Sequence, residues 1–65
     1  MQINIKAIEK MRKERGYSRM YVAEYLNYTT AEAYSMKITG KRQFNLNDLL
    51  KLAALYSVEV TDLLK

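Results

Sequence analysis

The sequence predicts an all-α fold of five short helices joined by tight connections. Three observations carry this expectation. Apolar residues recur three and four apart along most of the chain. Proline is absent, and glycine occurs only at Gly16 and Gly40, each directly behind a run of helical periodicity. Side chains that cap helices (Asn4, Ser18, Thr29 and Asn45 or Asn47) stand where the successive periodic runs begin.

Helix 1 is expected over about residues 4–15, capped by Asn4, with Ile5, Ile8 and Met11 on its inner side. The cations of "RKER" and Gly16 close it, because cations suit a helix C-terminus and glycine reaches the left-handed conformation that ends one. Ser18 starts a second helix through Leu26, with Val22, Ala23 and Leu26 facing inward. Thr29 and Glu32 then form a capping-box pattern. It opens a third helix over about 30–38 that buries Ala33 and Met36 and stops before Gly40. Asn45 or Asn47 caps a fourth helix whose inner face is Leu49, Leu52, Ala53 and Tyr56. Val58, Val60, Leu63 and Leu64 suggest a short fifth helix. Phe44 is expected to anchor the preceding loop in the core.

A chain of 65 residues is read as a single domain, 1–65, with a small core. It contains no cysteine and no histidine, so disulfide staples and the usual zinc ligands are lacking. The residues of most hydrolytic and metal chemistry are likewise missing, and no glycine-rich phosphate loop occurs; no enzyme, cofactor, metal site or small-molecule substrate is expected. No apolar run is long enough to span a membrane and none resembles a signal peptide, which fits the cytosol. The formal net charge is +4. Lys6, Lys10, Arg12, Lys13, Arg15 and Arg19 face only Glu9 and Glu14 in the first part of the chain. Further on, Lys37, Lys41, Arg42 and Lys51 face Asp48 alone. An anionic partner suits this balance.

Two short helices joined by a tight turn, the second capped by threonine, make a helix-turn-helix, the unit that presents its second helix to the DNA major groove. The run from "IEKMRKERGYSRMYVAEYLNYTT" to "LLKLAALYSVEVTDLL" resembles the Cro/C1-type, lambda-repressor-like (XRE) helix-turn-helix domain over nearly its whole length. It is similar in particular to small phage regulators. Arg12 after Met11, the Gly16–Ser18 joint, Val22–Ala23, Gly40–Lys41–Arg42 before Phe44, and "VTDLL" carry the likeness. The resemblance implies a compact five-helix fold with the helix-turn-helix in helices 2 and 3. It also exposes departures. Arg19 stands where the family usually has glutamine, and Asn27 where the turn usually has glycine. Lys37 replaces a glutamate that often pairs with the helix 1 arginine, so Arg12 needs another partner or stays solvated.

Carried over by position, the resemblance points Thr30, Ala31 and Ser35 at base edges with Tyr34 nearby. Ser18, Arg19, Thr29, Lys41 and Arg42 would meet phosphates. Lys37 is expected to face solvent. Tyr17, Tyr21, Tyr25 and Tyr28 recur at helical spacing; Tyr21, Tyr25 and Tyr28, with Tyr56 and Leu64, are candidates for a protein interface. The expected function is a sequence-selective, double-stranded DNA-binding transcriptional regulator of the phage repressor or Cro kind. It would act as a homodimer, weak without DNA, formed through helices 4–5 on a two-fold operator. The alternative is an antirepressor or modulator that uses the same fold to bind another regulator protein.

Overall fold

A computed structural model describes residues 2–65. Its elements run in the order α1 (Ile5–Glu14), α2 (Arg19–Tyr25), α3 (Ala31–Ile38) and α4 (Leu46–Tyr56), followed by a 3-10 turn at Val60–Leu63. The all-α expectation holds, with one difference: the fifth helix is a single 3-10 turn. Residues 60–63 are too few for the i to i−4 bonds of an α-helix, and the turn is closed by the Glu59 amide donating to Asp62 at 3.0 Å.

The caps explain where most helices begin. Asn4 Oδ1 accepts from the Ala7 amide at 3.1 Å, and Ser18 Oγ accepts from the Tyr21 amide at 3.0 Å. Asn45, rather than Asn47, caps α4: it accepts from the Asp48 amide while Asp48 accepts from the Asn45 amide. Gly16 and Gly40 both take positive φ, 71° and 87°, as their positions behind helix ends require.

α3 starts one residue later than the capping-box pattern predicts. Asn27 adopts φ 65° and the Tyr28 amide returns to the Ala23 carbonyl at 2.8 Å, so the end of α2 consumes both residues. Thr30 then becomes the cap, its Oγ1 accepting from the Ala33 amide at 3.2 Å. The third residue of the helix is therefore Ala33, and the Thr29–Glu32 box does not form.

The core is built from Ile8, Val22, Ala23, Leu26, Tyr34, Phe44, Leu49, Leu52, Ala53, Tyr56 and Leu63. The inner faces expected for α2 and α4 are confirmed, as is the anchoring of the loop by Phe44. On α3 the inward residue is Tyr34; Ala33 and Met36 are only partly buried. The Tyr34 and Phe44 rings meet at 6.0 Å. At the far side the chain ends pair. Ile3 and Leu64 form an antiparallel bridge, flanked by Asn4 N–H to the Leu63 carbonyl (2.8 Å) and Lys65 N–H to the Gln2 carbonyl (2.9 Å).

Candidate nucleic-acid interface

The joint that sets α2 against α1 and α3 is organised on one carboxylate, Glu9. Arg12 grips it through two bonds, Nε to Oε2 at 2.8 Å and Nη2 to Oε1 at 3.2 Å, three residues along the same helix. The third arm of the guanidinium, Nη1, donates to the Tyr17 carbonyl at 2.7 Å, which fixes the loop leading into Ser18 and Arg19. Arg12 thus has the partner that Lys37 denies it, supplied from its own helix. From α3, the Tyr34 hydroxyl donates to Glu9 Oε2 at 2.8 Å. From α2, Arg19 Nη2 reaches Glu9 Oε1 at 3.5 Å and its Nη1 donates to Ser35 Oγ at 3.1 Å.

The electrostatics follow from this geometry. Burial by itself would raise the Glu9 carboxyl, but the bonds from Arg12 and Tyr34 and the charges of Arg12 and Arg19 outweigh it and hold the group below its ordinary value. The bond to Glu9 raises Arg12, which stays charged although its side chain is only 11% exposed. Burial, reinforced by the bond to Glu9, pushes the Tyr34 hydroxyl well above the ordinary tyrosine range.

Tyr34 is therefore not available to bases. It is 0% exposed, its ring packed against Phe44 in the core and its hydroxyl bonded to Glu9. Thr30, Ala31 and Ser35 lie on the outer part of α3, Thr30 exposed and the other two partly so. The Thr30 and Ser18 oxygens accept from their helix amides, which leaves each hydroxyl hydrogen free to donate to a phosphate or base acceptor. Thr29 is exposed and makes no cap.

Lys37 departs from its expected solvent-facing position. Its side chain is 15% exposed and its Nζ donates to the Gln43 carbonyl at 2.9 Å. It also lies 3.6 Å from Asp48 Oδ2, over the Tyr28 ring at 5.3 Å and the Phe44 ring at 6.0 Å. The loop after α3 is pinned from below by this lysine and by Phe44. Lys41 and Arg42, by contrast, are exposed and make no ion pair or side-chain hydrogen bond among the described residues.

The tyrosines divide. Tyr21 and Tyr25 are 48% and 41% exposed beside Met20 on the outer side of α2, whereas Tyr56 is 1% exposed and takes no part in any surface. The reason is that Tyr56 lies on the inner stripe of α4, where Tyr17 stacks on it at 6.3 Å and the Arg15 guanidinium covers it at 5.2 Å. Tyr28 and Leu64 are partly buried and pack against the core. The sequence reading missed Glu9 and Asp48 as partners. Glu9 and Arg12 stand three apart on one helix, a spacing that signals contact; for Lys37 and Asp48 no local signal exists.

Two short helices packed through a left-handed turn, with an outward-facing α3 and unpaired cations behind it, define a helix-turn-helix unit of the DNA-binding type. A sequence model described as helix-turn-helix matches residues 8–63, and the chain belongs to that family, of the Cro/C1 (XRE) kind. No curated protein and no solved structure matches it. The family is one of DNA-binding regulatory domains. Among the described residues, no helix is long and apolar enough to cross a membrane, and no group of acidic side chains is placed to hold a metal.

Proposed function

We propose that this protein is a sequence-selective regulator of transcription of the phage repressor or Cro kind, confined to the cytoplasm. It binds double-stranded operator DNA as a dimer and blocks polymerase by occupying the promoter. The observations that carry this reading are Thr30, exposed at the cap of α3, with Ala31 and Ser35 partly exposed along the helix, together with the Ser18-capped start of α2 and the unpaired, exposed Lys41 and Arg42. Thr30 and Ser35 donate to base edges and the Ala31 methyl meets a thymine methyl. Ser18, Thr29, Lys41 and Arg42 hold the phosphates that set the register. With so few base-reading groups per copy, a two-fold operator doubles the information read, its half-sites about one helical turn apart. Selection of bound sites from a random duplex pool tests this. A recovered palindrome supports it, and failure to bind any duplex at low salt would sink it.

A second reading has its own support. Met20, Tyr21 and Tyr25 are exposed aromatic and apolar residues on α2. Such residues suit a modulator that docks on another regulator, and a chain that binds a regulator but no duplex would favour it.

A further inference from the structure

We infer that Arg19 is the principal base-reading side chain of this protein, held over the recognition helix by Glu9 and Ser35 and directed at guanine. The inference rests on the DNA-binding reading above and deepens it. A cation at the start of α2 has the phosphate backbone as its simplest target. Here its guanidinium is tied instead across sixteen residues to Ser35 Oγ at 3.1 Å, on the outer side of α3 that the proposal turns toward the bases. The second tie, to Glu9 Oε1 at 3.5 Å, is longer than any bond that Arg12 makes to the same carboxylate.

That difference separates orientation from neutralisation. The single charge of Glu9 is already matched by Arg12 at 2.8 Å, and one of its oxygens also accepts from Tyr34. The cluster of Glu9, Arg12 and Arg19 therefore keeps one net positive charge, which resides on Arg19, the exposed member at 47%. Its guanidinium is fixed in direction, remains charged, and has further N–H donors beyond the two in use. A planar fork held in this way matches the O6 and N7 acceptors of guanine in the major groove. Because the side chain is ordered before binding, less rotamer entropy is lost on contact. None of Thr30, Ala31 and Ser35 can make a bidentate base contact, so Arg19 supplies the discrimination they lack.

Lysine keeps the charge but not the fork, which makes Arg19→Lys the informative variant. Sites are selected from a random duplex pool with wild type and variant, and affinities are then measured across a salt series. The expected wild-type site carries a guanine at one position of each half-site. Arg19→Lys should reduce the preference for that base by roughly tenfold or more, with the salt slope unchanged. Glu9→Gln tests the positioning role. Binding to random-sequence duplex should hold or tighten as a negative charge is removed, while the preference at the same base pair falls. Should Glu9→Gln not fold, Ser35→Ala removes the other tie and should broaden the same position. If Arg19→Lys selects the wild-type site with undiminished preference, Arg19 is a phosphate contact and the inference is overturned alone. If the wild-type chain binds no duplex, the inference falls together with the DNA-binding reading.

Discussion

Two cationic regions of this molecule serve opposite ends. Around Glu9, the cations Arg12 and Arg19 are held by named partners at fixed distances, and three helices meet there. In the loop after α3, Lys41 and Arg42 are exposed and unpaired among the described residues, while Phe44 and Lys37 fix the backbone beneath them. Cations held in place contribute geometry and stability; cations left free contribute charge to whatever anion approaches. Loss of a held cation's partner should therefore destabilise the domain, and loss of a free cation should weaken binding only.

Substitutions can break this contrast, in descending order of effect on stability. Glu9→Ala should cost about 3 kcal/mol in urea unfolding, since it leaves the nearly buried Arg12 without its counter-charge and orphans the Tyr34 hydroxyl. Tyr34→Phe, which removes only the bond to Glu9, should cost about 1.5–3 kcal/mol in the same measurement, as a hydrogen bond to a charged group does. Lys37→Met keeps the stem over Tyr28 and Phe44 but strips Asp48 of its ion pair, and should cost about 1–2 kcal/mol. Lys41→Ala and Arg42→Ala should each change stability by less than about 0.5 kcal/mol. Each should nevertheless weaken binding evenly across duplex sequences and lower the salt slope by ~1. A large loss of stability in either would show that the loop, too, is held.

Acidity probes the held region directly, through Glu9. Glu9 lies below its ordinary value of 4.5 in the folded chain. The unfolded state therefore takes up the proton first as pH falls, so the contribution of Glu9 is complete above that value and is lost as pH drops through the lower folded one. Wild type should lose stability over this range and Glu9→Gln should lose less, read as urea midpoints against pH. At the alkaline end the sign reverses for a buried acid whose value is raised. Burial chiefly pushes Tyr56 from 10.0 up to about 12, so its stabilising preference for the neutral form is present below the unfolded value and disappears as pH rises through the folded one. Tyr28 and Tyr34, raised by burial and by their acidic neighbours, add to this, and unfolding midpoints should fall above about pH 10.

Much of the fold was legible because its signals are local. Asn4, Ser18 and Asn45 bond amides three residues away, and Gly16 and Gly40 end the helices before them. The inner stripes of α2 and α4 repeat at the helical period. Local readings failed at the fifth helix, which is a 3-10 turn, at the inner face of α3, where Tyr34 takes the place expected for Ala33 and Met36, and at the start of α3. Thr29 and Thr30 are both capable caps, and the choice fell to Thr30 only because Asn27 and Tyr28 are taken up in closing α2.

By itself, then, the sequence determined the helices, most of their caps, the two-helix unit and the cationic balance, all from interactions reaching no more than four residues. Tertiary structure alone decided that Tyr34 and Tyr56 turn inward while Tyr21 and Tyr25 remain outside. It also decided that Arg19 and Tyr34 join Arg12 on Glu9, that Lys37 finds Asp48, and that Ile3 pairs with Leu64. The physical reason is separation along the chain. Glu9 and Tyr34 are 25 residues apart, and a side chain's periodicity cannot reveal which distant group will lie against it once the helices have packed.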